Sequence, residues 1–279
     1  MNQHLSPDAI KAFEPDQKIG LIATQDAEGL PHLSLITTLR AKSATQLMWG
    51  QFCEGRSKDN VRHRPETAFA VMTLQRQLWR GKARWTHAVR EGADYELFNQ
   101  SPMFRYNAYF GIHTVHYMDL LAVSGPEPVS WPGVAAGLVT TATTRRFSGT
   151  GLGPAILKPW AQRLLARPDT LKFLAWIGPD GFPELVPVVP CQTADSRRLV
   201  FAPTVYRDQL KRLVPGETVA LFGLNLDMES VLVRGVFTGY RGGLGLGTGA
   251  IDIRWVYNSM PPKHGVVYPA QPLDPVTQL

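Results

Sequence analysis

The chain has 279 residues, 44% hydrophobic and 19% charged, with a net charge of +6, which is enough apolar material for two compact cores. Its two cysteines, Cys53 and Cys191, show no Cys-x-x-Cys or Cys/His spacing, so no disulfide framework or thiolate metal site is expected, and a reducing cytoplasm is the expected compartment. No run of 18 apolar residues occurs, and the opening MNQHLSPDAIKAFEPDQ carries early acids, so neither a membrane span nor a secretory leader is expected; the basic residues are scattered, which favours small anions such as phosphates over nucleic acid.

Residues 6–13 predict a short helix with Ser6 as N-cap and Pro7 at its first position. From Gly20 the pattern turns to strands: GLIAT, then HLSLITTLR in rough alternation, then QLMWG. Between the first two, residues 26–29 form a hairpin loop in which Gly29 supplies the left-handed position. A short helix is expected over 56–64, ended by Pro65. TAFAVMTLQ and QLWRGKARWTHAV follow as strands, ADYELFNQ as a short helix, and 109–123 as a closing strand.

The same plan then returns. Gly29-Leu30-Pro31 matches Gly181-Phe182-Pro183, Arg64-Pro65-Glu66 is echoed around Val214-Pro215-Gly216-Glu217, and Trp79-Arg80-Gly81 pairs with Val233-Arg234-Gly235. A repeat of this length is too long for a solenoid unit and reads as a duplicated domain. Residues 1–132 form the first copy and 170–279 the second, whose last barrel strand is 251–257. Residues 133–169 serve as a Gly-, Thr- and Ala-rich connector that becomes helical in PAILKPWAQRLLARP. The Pro-rich tail after Pro261 is expected as extended chain. The fold class is mainly β with short helices, each copy a small closed or split barrel.

Each copy resembles the FMN-binding split barrel of the pyridoxamine 5′-phosphate oxidase-like superfamily. In copy one the resemblance rests on Asp26, Gly29, Pro31 and His32, on Gly55-Arg56-Ser57-Lys58-Asp59-Asn60, on Arg64-Pro65 before the strand AFAV, and on Arg80-Gly81. In copy two it rests on Asp180-Gly181-Phe182-Pro183, Tyr206-Arg207-Asp208, Pro215 and Arg234-Gly235. It implies two tandem split barrels forming a pseudo-dimer, with FMN in the crevice between barrels. It also implies a flavin-dependent oxidoreductase acting on a small-molecule substrate or electron donor, with further pairing as a homodimer open. A non-catalytic flavin or haem binding or electron-transfer protein is the alternative. By the same resemblance Arg56, Ser57 and Lys58 hold the phosphate, Leu35, Ile36, Thr37, Thr38 and Arg40 line the flavin, Trp49 and Gly50 underlie the ribityl chain, and Gln75 or Gln77 reaches the ring edge. A helix start flanked by Arg and Lys suits a dianionic phosphate on physical grounds as well. Copy two places Arg207 where Lys58 stands, with no second basic residue before it, and Pro190 interrupts its Thr-bearing strand, so one good site is expected, on copy one, with a second site on copy two left open.

Other motifs fail their context. GLGLGTG at 243–249 lies between strands with no following helix, and Gly149 to Pro154 follows no strand while Lys158 comes too late for a phosphate loop. Arg62-His63-Arg64 and Arg145-Arg146 read as solvated charge, and no Gly-x-Ser-x-Gly elbow is present. His113 and His116 sit an odd number of residues apart and so cannot share a strand face as a metal pair. His116, Tyr109 and Arg105 are cleft candidates without an assigned role.

Overall fold

Ser6 accepts the amide of Ala9, and Pro7 opens helix α1 (Pro7–Phe13), which buries Ala9 and Phe13. In the computed structural model, which describes residues 2–105, 111–128, 130–150, 153–242, 247–259 and 264–272, two antiparallel sheets then follow in sequence. The first contains β1 (Lys18–Gln25), β2 (Pro31–Leu35), β3 (Arg40–Ala41), β4 (Gln46–Gln51), β5 (Glu66–Thr73), β6 (Gln77–Val89) and β7 (Thr114–Pro128). Helix α2 (Arg56–His63) precedes β5, and α3 (Ala93–Asn99) precedes β7. Helices α4 (Trp131–Thr144) and α5 (Pro159–Ala166) lead to the second sheet. There β8 (Leu171–Ile177), β9 (Pro183–Pro187), β10 (Cys191–Thr193), β11 (Arg198–Phe201), helix α6 (Arg207–Leu210), β12 (Thr218–Leu224), β13 (Ser230–Arg241) and β14 (Thr248–Asn258) are followed by β15 (Gly265–Tyr268).

The duplication is visible in the strand order. The first sheet runs β2-β1-β5-β6-β7-β4-β3 and the second β9-β8-β12-β13-β14-β11-β10, the same order strand for strand, with β15 added beside β14. Register repeats as well. Ile22 opposes Phe69 and Phe69 opposes Gly81, while Leu174 opposes Leu221 and Leu221 opposes Val233. Arg40 opposes Met48 as Gln192 opposes Val200, and the ladder slips after Lys82 and Trp85 in β6 as it does after Arg234 and Phe237 in β13. One constant step along the chain relates all these pairs, and the hairpin glycines Gly29 and Gly181 share a left-handed φ of 77° and 78°. This register corrects the sequence match by two residues. Gly81 is the counterpart of Val233 rather than Gly235, because the bulges, not the Arg-Gly dipeptides, coincide.

The chain divides into two compact units: residues 1–29, 33–129 and 177–185 form one, and 30–32, 130–176 and 186–279 the other. The first is filled around Phe13, Ile22, Trp49, Phe69, Trp79 and Met118, the second around Trp176, Phe201, Leu221, Phe237 and Ile251. Such clusters, fully removed from water, supply the main drive for each fold.

Three local expectations change. HLSLITTLR is not one strand: it breaks after Leu35, where the Ile36 amide donates to the Gly20 carbonyl and the chain turns through Thr37 and Thr38. Gly20 is needed there, since a Cβ would lie 2.4 Å from the Ile36 oxygen. The closing strand begins at Thr114; Tyr109 lies outside the described residues, as do 151–152 of the linker, 243–246 of the glycine-rich loop and the tail from 273. Part of the tail is a strand, β15, paired with β14.

The Gly/Thr-rich connector is more helical than its composition suggests. Ser130 caps α4 and Pro132 stands in its first turn. Thr141 donates its hydroxyl to the carbonyls of Gly137 and Pro190. A Cβ at Gly137 would lie within 2.6 Å of Pro190 Cγ and also strike the Thr204 hydroxyl, so glycine lets α4 approach the second sheet closely. No described helix is long and apolar enough to cross a membrane. Gly137→Leu is expected to push α4 off this contact and cost about 1–3 kcal/mol, the usual range for overpacking, read as an earlier urea midpoint.

Candidate functional site

Helix α2 carries polar residues on its inward face. Ser57, Lys58, Asn60 and Val61 are its buried positions, and only Val61 joins the hydrophobic core. Asn60 is satisfied by donating to the Thr24 hydroxyl of β1 at 2.9 Å, which fastens the helix to the sheet. The helix ends where Arg64 turns extended before Pro65, and Arg62 and His63 lie in its last turn, the favourable end of the dipole for cations.

Its start is unusual. Gly55 occupies the N-cap position and no side chain caps the first turn, leaving first-turn amides without intrahelical partners. Ser57 is 1% exposed, and its hydroxyl has no hydrogen-bond partner among the described residues. Lys58 is 7% exposed and curls back over Gly55, where a Cβ would sit 3.1 Å from its Nζ. No carboxylate among the described residues lies within ion-pair reach of Lys58. Burial lowers its pKa, and the more distant Cys53, Glu54 and Asp59 oppose that shift only in part. Lys58, without a counter-ion among the described residues, thus stands next to a buried hydroxyl without a partner, a pair of donors that suits an anion. Arg56 stands half-buried in the same turn.

The strand end feeding this helix is held by aromatic and polar contacts. Trp49 stacks on His116 of β7 with ring centroids 3.9 Å apart and planes within 4°. The Trp85 indole N–H donates to His116 Nδ1 at 3.2 Å, and His116 Nε2 meets Gln51 Oε1 at 3.1 Å. His116 is fully buried; desolvation, then the charges of Arg62 and Lys58, lower its pKa to about 3. It is therefore neutral at physiological pH with both nitrogens engaged. His113 is exposed, just before β7, and bonded to Thr114. Among the described residues no cluster of three His, Cys, Asp or Glu side chains could hold a metal.

The remaining sequence-derived candidates are distributed as follows. The Thr38 hydroxyl is committed to Gly50, donating to its carbonyl at 2.8 Å and accepting its amide at 3.1 Å. Thr37 and Leu35 are half-buried and Ile36 buried, with the Thr37 carbonyl receiving Lys18 Nζ at 3.3 Å. Arg40 is paired with Asp16 at 2.5 Å. Trp49 and Gly50 are buried in β4, whereas Gln75 and Gln77 are exposed at the β5–β6 hairpin. Arg105 is exposed. Sequence reasoning passed over Gln51, whose partner His116 comes from a distant strand.

The common register also settles what stands at these positions in copy two. Strands on both sides of α2 and α6 keep the same step, so Arg56, Ser57 and Lys58 correspond to Asp208, Gln209 and Leu210. Leu210 is fully buried in the second core, and Arg207 falls opposite Gly55 rather than Lys58. The second copy thus lacks the whole cationic set, not one member of it.

A duplicated split β-barrel is the class of protein these features define. No family model matches the chain, and no curated protein matches it. Among solved structures it is similar to HupZ of Group A Streptococcus (15% identity, 43% of this chain and 91% of that one, TM-score 0.36). Others are an FMN-binding protein from Syntrophomonas wolfei (14%, 44% and 84%, TM-score 0.37) and a FAD-binding protein from Mesorhizobium loti (16%, 43% and 93%, TM-score 0.30). Each covers less than half of this chain at a TM-score below 0.5, and the fold rests on the strand order and register above.

Replacing Lys58 by Met is expected to stabilise the unliganded protein by about 1–2 kcal/mol, because it removes an uncompensated buried charge, with thermal and urea unfolding as the check. His116 adds a pH dependence. Its pKa is lowered in the folded state, so the unfolded chain takes up the proton first, and stability falls as pH drops from about 6.5 towards 3, by up to ~4 kcal/mol. Urea titrations across that range are expected to show the loss in the native chain and a smaller one in His116→Gln.

Proposed function

We propose that the chain binds FMN through the start of α2 and works as a flavin-dependent oxidoreductase. The observation that carries this reading is Lys58, buried without a carboxylate beside an uncapped helix start and the unpaired Ser57 hydroxyl. A terminal phosphate supplies the missing negative charge and accepts from the Ser57 hydroxyl, the first-turn amides and Arg56. Backbone groups of Leu35, Ile36 and Thr37 form the proposed ring wall with Arg40. Trp49 and Gly50 underlie the ribityl chain, and Gln77 is the proposed ring-edge residue. Thr38 contributes through its backbone, its hydroxyl being held by Gly50. When bound, the flavin supplies hydride or electron transfer, and these residues supply charge, orientation and exclusion of water. The proposed partners are a small-molecule substrate and an electron donor in the cytoplasm, with pairing into a homodimer.

One observation favours a second reading, a non-catalytic flavin carrier: His116 beside the site is neutral, with both nitrogens engaged, and so offers neither an acid nor a ligand for haem iron. Turnover with NADH or NADPH separates the two. Protein purified without added cofactor is expected to absorb near roughly 375 and 450 nm, as bound flavin does. Lys58→Gln is expected to weaken FMN binding roughly 10- to 100-fold, the value of a charge-assisted hydrogen bond, while Arg207→Ala in copy two leaves it unchanged. Unaltered flavin affinity in the Lys58 variant would remove the phosphate assignment.

A further inference from the structure

Hydrogen-bond directions in the first unit run one way, starting from a group with no choice. Indole nitrogen can only donate, so the Trp85 Nε1–H bonded to His116 Nδ1 makes that nitrogen the acceptor. Because His116 is buried and stays neutral, its single ring proton then resides on Nε2. An Nε2–H needs an acceptor, and the atom 3.1 Å away is Gln51 Oε1. With the oxygen of the Gln51 amide fixed towards His116, its two N–H donors are turned the other way. They have no hydrogen-bond partner among the described residues, although Gln51 is only 8% exposed.

The place where those donors emerge is specific. Gln51 is the last residue of β4, and the next four residues lead into α2 at Arg56. His116, which holds Gln51, lies close enough to Lys58 and Arg62 for both charges to lower its basicity. Lys58 and the Ser57 hydroxyl are donors without acceptors among the described residues, and Gln51 adds a neutral one to the same end of the sheet.

We propose that Gln51 is a ligand-binding residue of the α2 site, its amide N–H₂ held outward by Trp85 acting through His116 so that it donates to an oxygen of the bound anion. This rests on the reading that the start of α2 holds a phosphate. Trp85 and His116 are positioning residues: neither touches the ligand, and together they remove the amide flip that would otherwise turn an acceptor towards an anion. The second unit has none of these partners. The shared register places Pro203 opposite Gln51, Gly249 opposite His116 and Phe237 opposite Trp85. There Phe201 covers Gly249, whose Cβ would come within 2.5 Å of the ring, and packs on Phe237 at 6.1 Å. The barrel does not need the polar relay in order to fold.

The experiment uses the full chain with two probes, FMN and inorganic phosphate, measured by calorimetry. Gln51→Glu keeps the acceptor facing His116 and replaces the donors by a negative oxygen. It is expected to weaken both probes by roughly tenfold or more, with Gln51→Leu somewhat milder. Trp85→Phe is expected to weaken both probes several-fold without touching the ligand. Nitrogen-15 NMR of histidine-labelled protein is expected to show His116 protonated on Nε2 in the native chain, and a shift of that tautomer in Trp85→Phe. A merely structural role for His116 would not predict the tautomer dependence. A proton on Nδ1, or unchanged affinity for both probes in Gln51→Glu, overturns the proposal and leaves the flavin reading standing if FMN still binds. Phosphate binding that is sensitive to Gln51, with no FMN binding, removes the flavin reading and keeps the relay. Binding of neither probe removes both.

Discussion

Pairing of β4 with β7 is the constraint on which the site depends. β4 is followed in the chain by α2 and β5, yet its hydrogen-bonded partner is the last strand of the first sheet. That non-local ladder sets Trp49 directly opposite His116, and the bulges of β6 bring Trp85 to the same ring. Local propensity could not achieve this, because the three residues belong to three strands separated by two helices. The cost of closing such long loops is met by the apolar core around Trp49, Phe69 and Met118. Once the ladder is fixed, the chain leaving β4 leads into α2 at Arg56, near enough to His116 for the Lys58 and Arg62 charges to lower its pKa.

The duplication makes the polar features interpretable. A buried lysine or a histidine on a hydrophobic stack has several explanations in isolation, most of them structural. Here the same strand order and register recur with Leu210, Gly249, Phe237 and Pro203 in the matching places, and the second core closes over them as an ordinary apolar cluster. Buried polarity in the first unit is therefore not demanded by the barrel. Another buried cation shows the contrast. Lys172, on β8, donates to the carbonyls of Arg167 and Thr170, so its ammonium has acceptors of its own and needs no ligand. Lys58 has no such acceptors among the described residues.

Much of this was legible in the sequence. Ser6-Pro7, Gly29, Gly181 and the alternating strands carry local signals that match the cap, the turns and the ladders, and the repeat announced two equal folds. What escaped has a common cause. Helix α4 is rich in Gly and Thr, residues of low helix propensity, and its stability comes from close packing at Gly137 and Thr141 that no local pattern reports. The Arg-Gly dipeptides misled by two residues because register follows bulges and pairing, which sequence similarity does not see. Thr37 and Thr38 looked like β-branched strand residues but occupy a turn, since the Ile36 amide finds a long-range carbonyl at Gly20. Gln51 carries no signal of its own; its meaning depends on His116 and Trp85, which meet it only in the folded sheet.

Helix α2 breaks the amphipathic rule that its counterpart obeys. α6 and the residues after it bury Leu210 and Leu213, whereas α2 turns Ser57, Lys58 and Asn60 inward and leaves one apolar residue, Val61, to hold it against the core. A sequence under selection for stability alone would replace the first two, because each buries a polar group with no partner of its own. Beside a histidine that fixes the flip of the Gln51 amide, they bring three donors, from Ser57, Lys58 and Gln51, to one end of the sheet. Donors gathered in this way repel one another and repel any cation, so the unliganded arrangement is less stable than the fold alone would make it. An anion relieves that penalty by binding, which places its affinity in the same residues that destabilise the free protein.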